Sequence, residues 1–442
     1  MNPWVRTWMF LLLTGFVSVA CQRENIIVDP EPSPERPSII PAKLDSIPKV
    51  FITTPRDVNS KEEWVELSTI KIQVTVNGKD SVVYEADSLK IKGRGNTTWS
   101  AYPKKPYNLK LNHKANLIGT GKTSRWLLLA NWMDRTHLRN QVALEAARRT
   151  SMEWTPSGIF VELYMNSTAI DPDSEPEYMG MYWLGERIHV EGSHFDADYL
   201  YCYDTSDKSK ADYTAYCHSY SGGEWTDADV PVTLKYPDKD NYPEFYWISY
   251  LKDASLYALQ TVEDAIYHAP SGNWLSAIDL NSFCDWYLVN EMAYNAEPRH
   301  PKSTYYYIRD GVMYAGPVWD FDYGTFRILD GASSLRLRSS LYYFHLFPLQ
   351  PFRDRLRARW NTLRPSFMSL LDYIDEQADW IREPEKKNFN LWGPPYPNPM
   401  GTEASNFMVN MDEDLSFDEA VDKMKKALKK RIKLMDELIS QL

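Results

Sequence analysis

The sequence predicts an α+β fold, with a β-rich N-terminal part followed by a mainly helical C-terminal part. Three observations carry this reading. Short runs of alternating apolar and polar residues make residues 50–130 β-rich, and residues 158–205 return to strands. From about residue 244 the apolar spacing becomes helical. The chain then closes on an amphipathic helix opened by the pair Ser416 and Glu419, a capping box.

In chain order, Ile70, Ile72, Val74 and Val76 alternate with polar residues and read as a half-buried strand. Asn77-Gly78 follows, the pair best suited to a tight hairpin, and a partner strand runs through Ser81 to Tyr84. Leu89 to Lys92 and Tyr107 to Leu111 alternate likewise. Between Asn131 and Arg149 the spacing of Leu138, Val142 and Ala146 predicts a helix with Thr136 as its N-cap. Ile159 to Tyr164 returns to strand, and the polar, Gly- and Asp-rich stretch 206–240 reads as a long loop or insertion. A strand pair, Ser303 to Arg309 and Val312 to Asp322, interrupts the helical part, and Leu391 to Pro399 reads as an irregular Pro-rich loop. In the last helix Phe417, Val421, Met424, Leu428, Ile432, Met435, Ile439 and Leu442 make one apolar stripe. Lys423, Lys426, Lys429, Lys430 and Lys433 lie elsewhere, which fits a helix packed on the core with a solvated Lys face, or a membrane-surface helix.

The N-terminus has the dimensions of a secretory signal. Arg6 precedes an apolar run from Trp8 to Val19, too short for a comfortable membrane span. It ends in Ser18-Val19-Ala20-Cys21, which resembles a bacterial lipoprotein signal with Ser18 where Leu is usual. Cys21 would become the lipidated first residue; an ordinary signal peptide cut nearby is the plainer alternative. Residues 22–49, with Pro30, Pro32, Pro34, Pro37, Pro41 and Pro48, read as a disordered tether. The expected layout is thus a signal peptide at 1–21, the tether at 22–49, a β-rich lobe at 50–240 and a mainly helical lobe at 241–442. The expected location is the cell envelope, at the outer membrane and on either face, with membrane contact through the lipid anchor only.

The formal net charge is −11, and removal of residues 1–21 takes away one Arg and no acid. So acidic a chain is a poor candidate for wrapping nucleic acid. Beyond Cys21, the cysteines Cys202, Cys217 and Cys284 are too few for a disulfide framework. Cys202 and Cys217 have the option of pairing in an oxidising compartment, and Cys284 reads as a buried small hydrophobe. Aromatic residues make up 14% of the chain, enough to fill a core and also to line a carbohydrate or nucleoside cleft.

The most telling segment is Gly316-Pro317-Val318-Trp319-Asp320-Phe321-Asp322-Tyr323-Gly324. On a strand, Asp320 and Asp322 would share one face and repel each other. Such a pair calls for hydrogen bonds or a cation, and Mg²⁺ binds through one or two carboxylates plus substrate phosphates. A strand end whose Asp side chains cap a turn is the alternative. Gly119-Thr120-Gly121-Lys122-Thr123 lacks the first Gly of a phosphate loop, since residue 116 is Asn, and Arg125 to Ala130 looks like a strand, not a helix. No HExxH or GxSxG pattern occurs, which disfavours zinc hydrolases and serine esterases. The segment Ile91 to Trp99 and Tyr102 to Tyr107 is basic within an acidic chain. There Gly93 and Gly95 would let backbone amides approach a ligand, and Arg94, Lys104 and Lys105 have the chemistry to meet phosphate oxygens.

Three blocks together resemble the spore-coat protein H (CotH) kinase family. The first is Lys92-Gly93-Arg94-Gly95-Asn96-Thr97-Thr98 through Pro103-Lys104-Lys105-Pro106-Tyr107. The second is Trp126 to Asn131 with Asp134 and Leu138-Arg139-Asn140, then Gly180 to Glu186. The third is Asn290-Glu291 to Lys302-Ser303-Thr304-Tyr305 and Gly316 to Asp322. The resemblance spans about residues 50–330, leaving the tether and the C-terminal hundred residues outside it.

The resemblance implies a reduced protein-kinase-like, two-lobed fold with ATP between a β-rich N-terminal lobe and a helical C-terminal lobe. It implies Mg²⁺ or Mn²⁺ held by Asp320, with Asp322 and Asn295 as further ligands. Lys104 or Lys105 would hold nucleotide phosphates with help from Arg94, and Glu186 would pair with that lysine. Glu297 stands where the family usually has a catalytic Asp, and its extra methylene marks a serviceable base, a weakened kinase, a changed acceptor or a non-catalytic binder. Two functions follow as expectations. The first is an envelope-anchored kinase that uses nucleotide and Mg²⁺ to phosphorylate Ser or Thr of an unidentified protein. The second is a catalytically silent surface module that binds a glycan or protein in the same cleft.

Overall fold

Period-two alternation in the N-terminal part ends in closure. In the computed structural model, which describes residues 38–190, 195–206, 211–221, 224–269, 273–327, 333–393 and 410–442, seven strands form a barrel in the order β1-β2-β3-β4-β5-β7-β6. These are β1 (Lys49–Thr54), β2 (Val65–Val76), β3 (Lys79–Gly93), β4 (Tyr107–Ala115), β5 (Thr123–Leu129), β6 (Gly158–Ser167) and β7 (Glu177–Glu186). All neighbours are antiparallel except β1 and β6, whose parallel pairing from Lys49↔Glu162 to Thr54↔Ser167 closes the ring. The alternating residues Val50, Ile52, Ile70, Ile72, Val74, Leu109, Trp126, Leu128, Tyr182 and Leu184 fill one core. Closure leaves no unpaired edge. The β2–β3 hairpin turns at Asn77-Gly78 with both φ angles positive, as that pair predicts.

The fold starts earlier than expected. Residues 38–48 do not belong to a free tether: Ile39 and Ile40 donate backbone hydrogen bonds to Asn116 and Leu117, and Ile40 and Ile47 are buried. The signal segment, Cys21 and the Pro-rich run through Pro37 lie outside the described residues.

A second sheet of five strands runs β12-β11-β8-β10-β9. It comprises β8 (Tyr199–Tyr203), β9 (Tyr213–Ser221), β10 (Glu224–Tyr236), β11 (Thr304–Arg309) and β12 (Val312–Ala315), so it draws strands from both sides of residue 240. The β9–β10 hairpin replaces the loop expected over 206–240. Val230, Val232 and Leu234 point inward while Asp229 and Lys235 are exposed, so the charged outer positions made the stretch read as polar. Cys202 on β8 and Cys217 on β9 flank β10 and neither is in a disulfide, so that pairing does not form.

Helices pack beneath this sheet. The Leu280–Met292 helix is buried from Ser282 onward, as a helix apolar all round should be, and Cys284 lies within it. Asp279 caps it by accepting from the Ser282 amide at 2.7 Å. The helices Gln350–Met368, Leu370–Trp392 and Phe417–Ser440 complete the bundle. The last has the predicted capping box and buries the predicted stripe in the shared core, so the packed-helix reading stands; Lys426, Lys429, Lys430 and Lys433 are exposed. Among the described residues no helix is long and apolar enough to cross a membrane.

Thr136 is not the N-cap of the helix Arg139–Arg148; Leu138 holds that position without a side-chain bond. Asp134 does the capping from further back, accepting from the amides of Thr136 and Arg139 at 3.0 Å each. Its carboxylate is held below the ordinary range by Arg139, against the opposing effect of burial.

Glu263 is buried beneath the second sheet, where the Tyr342 hydroxyl donates to it at 2.8 Å and Tyr203 contacts Tyr342 at 2.5 Å. Burial pushes its carboxyl up to about 7 from 4.5. The proton-linked stability is therefore fully present below pH 4.5 and lost as pH rises through 7. Glu263→Gln, which removes the charge, should flatten this decline by about 2–3 kcal/mol between pH 5 and 8. Denaturant titrations at the two pH values measure it; an unchanged slope would mean that Glu263 does not titrate there.

Candidate functional site

A cleft of about 750 Å³ opens between the end of the barrel and the second sheet. It is lined on one side by Arg94, Tyr102 and Lys104 and on the other by Asp204, Glu297, Lys302, Ser303, Trp319, Asp320 and Asp322. The acid pair is not on a strand, contrary to expectation. β12 ends at Ala315, and Asp320 has φ +70°, a left-handed conformation uncommon outside Gly. The two carboxylates meet because the loop turns: Val318 and Phe321 point into the core while Asp320 and Asp322 face the cleft.

Other elements hold that loop by its backbone. The Phe321 amide donates to Asn140 Oδ1 at 2.7 Å. Arg139 Nε donates to the Thr325 carbonyl at 3.1 Å. Asn410 accepts from the Gly324 amide at 2.8 Å and donates to the Asp322 carbonyl at 2.9 Å. Ser303 Oγ donates to Asp320 Oδ2 at 2.9 Å. Asn140 and Ser303 lie in the blocks of family resemblance but carried no assigned role. Nothing in the sequence pointed to Asn410 or Asp204.

Electrostatics make this an acidic knot. Burial raises Asp320, with the Ser303 hydrogen bond and Arg94 opposing. Burial, then Asp320 and Asp134, raises Asp322. Glu297 is raised by burial and by Asp320, with Lys302 opposing. Among the described residues none of the three carboxylates is in an ion pair. Arg94 is the cation that acts on both Asp320 and Asp322. Its guanidinium sits 5.6 Å from the Trp319 ring centroid; burial lowers it, while Asp320 and Asp322 act to raise it.

The remaining predicted residues sit differently. Lys104 lines the cleft but is 1% exposed. Its ammonium donates to Ala130 O (2.8 Å), Met181 O (2.5 Å) and Asn388 Oδ1 (2.8 Å). These use all three of its donors, and burial pulls it well below its ordinary range. It is thus spent on joining barrel to helices, and no donor remains for phosphate or for Glu186. Lys105 donates to the Trp99 carbonyl at 2.5 Å and does not line the cleft. Glu186 accepts from the Thr120 hydroxyl and the Ser157 amide and also lies off the cleft. Asn295 spends its amide on Asn290 Oδ1 and on the Glu297 amide, both at 3.0 Å, so it orients the turn bearing Glu297 and does not face a metal. Gly93 makes room for a side chain, not a ligand: a Cβ there would sit 2.4 Å from the Trp99 ring.

The donor set fits a hard dication. Asp320 and Asp322 offer carboxylate oxygens with no cation partner among the described residues, where no group of three or more His, Cys, Asp or Glu could hold a metal ion, so an ion on this pair would need its other ligands from phosphate or water. Two carboxylates completed by phosphate oxygens and water are the ligand set Mg²⁺ uses.

Three stability outcomes follow. Lys104→Met should destabilise by about 2–4 kcal/mol in chemical denaturation, because three buried acceptors lose their donor. Lys105→Met should cost under about 1 kcal/mol, since that side chain is only partly buried and gives up a single hydrogen bond. Asp322→Asn should raise the stability of the metal-free protein by roughly 1–2 kcal/mol at pH 8, because it removes a repelled carboxylate. A melt in chelator measures this, and a destabilised variant would contradict the electrostatic reading.

No curated protein matches the chain significantly. The model of the CotH kinase protein family matches residues 91–435, so the family's extent starts within β3 and runs past residue 330, through the C-terminal helices that the sequence resemblance had left outside. The acid loop, the turn bearing Glu297 and the residues that hold both all lie within that match, and the chain belongs to the CotH kinase family.

Proposed function

We propose that the protein is an atypical kinase that transfers a phosphoryl group from a nucleotide to a Ser or Thr hydroxyl of a polypeptide, with Mg²⁺ or Mn²⁺. The observation that carries this is the convergence of Glu297, Asp320 and Asp322 in one cleft, with Arg94 beside them. Phosphoryl transfer asks a protein mainly for positioning and charge neutralisation. When bound, the dication supplies neutralisation of the phosphate oxygens. Asp320 and Asp322 hold it, and Arg94 faces the same charge. Glu297, whose proton affinity is raised by burial, is suited to take the proton of the acceptor hydroxyl. We read the barrel as the counterpart of a kinase N-terminal lobe and the helical bundle as the C-terminal lobe. We extend the proposal to the cell envelope, with Cys21 as the lipidated residue.

A second reading has one observation in its favour. Tyr102, Trp132, Tyr305, Trp319 and Tyr323 give the cleft aromatic walls of the kind that bind glycans, which suits a silent surface module.

Thermal melts with ATP and Mg²⁺ separate the two. The kinase reading expects dication-dependent stabilisation of about 3 kcal/mol at a nucleotide concentration one hundred times Kd, lost in Asp320→Ala. It also expects phosphate transfer to an envelope extract to fall at least ~100-fold in Glu297→Gln. No shift with any nucleotide–metal pair, together with glycan binding that ignores chelator, would favour the module.

A further inference from the structure

The turn that delivers Glu297 also gathers cations. Tyr294 ends the Leu280–Met292 helix with φ +57°, and its ring lies 4.4 Å from the Arg336 guanidinium and 5.0 Å from that of Arg431. Arg431 is committed elsewhere: it is ion-paired with Glu291 and donates to the carbonyls of Glu291 and Ser334. Arg299 closes the same short turn, Glu297–Arg299. Arg327 is brought alongside when the Phe326 amide donates to the Ala293 carbonyl at 2.8 Å, and it lines the cleft. Its guanidinium lies over Gly324, where a Cβ would stand 3.3 Å from Cζ.

Arg299 and Arg327 each act on Arg336 as a like charge. Burial lowers the Arg336 guanidinium and the two other arginines lower it further, with Tyr294 and Glu291 only partly offsetting. Arg336 Nη1 is buried with no hydrogen-bond acceptor among the described residues. Arg299 and Arg327 have interactions of their own. A buried guanidinium edge without an acceptor costs stability, and like charges beside it add to the cost. An anion with several oxygens would relieve both, since the planar fork of Arg matches phosphoryl and carboxylate groups.

We propose that Arg299, Arg327 and Arg336 form a subsite for an anionic side chain, phosphoryl or carboxylate, of the polypeptide acceptor. That the bearer is the acceptor rests on the kinase reading. The subsite shares its turn with Glu297, which faces the acceptor hydroxyl, whereas the nucleotide phosphates belong with Arg94 and the acid pair. The protein would thus prefer acceptors that are acidic or already phosphorylated near the target residue.

The test uses the full chain and three labelled decapeptides, neutral except for a phosphoserine, an Asp or an Ala two residues from a central Ser. Fluorescence anisotropy should show the phosphoserine or Asp peptide binding ~10-fold or more tightly than the Ala peptide. The ranking of the first two tells phosphoryl from carboxylate. Arg336→Gln and, separately, Arg327→Gln should each reduce the preference by about tenfold, with a melt confirming that the variant is folded. Equal binding of all three peptides, or a preference that survives both substitutions, overturns the subsite. Nucleotide-dependent stabilisation is measured on the same wild-type sample. Its absence alongside an intact anion preference would overturn the kinase reading and leave the subsite standing.

Discussion

The site depends on a buried cation. Arg139 is 0% exposed, and its guanidinium is ion-paired with both Asp134 and Asp412 while donating to the Thr325 carbonyl. A lone charge there would be untenable; two carboxylates and a carbonyl make it a junction of three chain segments. Asp134 belongs to the stretch after β5, Thr325 to the acid loop and Asp412 to the approach to the last helix. The next residue, Asn140, reaches the Phe321 amide, so one short piece of helix sets the loop through two adjacent side chains. Because each partner would be left charged and dry if another were lost, the arrangement is close to all-or-none.

That rigidity makes the acid cluster possible. Three half-buried carboxylates with no ion pair among the described residues repel one another, and a flexible loop would splay them into solvent. Here the backbone on either side is pinned by Asn140, Arg139 and Asn410, while Ser303 holds Asp320 itself. The repulsion is stored in the fold, and under the proposed function a dication bound by the pair would relieve it, the usual relation between functional sites and stability. Lys104 plays the opposite part. Its ammonium is fully satisfied by two carbonyls and Asn388 of the Leu370–Trp392 helix, and it ties the barrel to the bundle across the cleft floor.

Much of the architecture was legible from local pattern. The Asn77-Gly78 hairpin, the alternating strands of the barrel and the capping box at Ser416 depend on near neighbours, and all are present. The acid pair was legible as chemistry but not as geometry: alternation placed Asp320 and Asp322 on a strand face, whereas a left-handed residue and bonds from distant segments bring them together. The β9–β10 hairpin went unread because the second sheet leaves charged residues such as Asp229 and Lys235 on its outer side. Lys104 was misread because a lysine in a basic segment gives no hint that its three donors will be met by residues 26, 77 and 284 positions away.

By itself, then, the chain's order of residues settled which segments alternate, which coil and which side chains bear charge, since each depends on spacing over a few positions. It did not settle which charges are spent inside and which remain for a ligand. Only the folded chain decides that, because desolvation and hydrogen-bond saturation depend on what long-range packing puts within about 3 Å of each polar atom. That is why Lys104 and Glu186 became structural supports, while Arg94, Glu297, Asp320 and Asp322 were left facing one cleft.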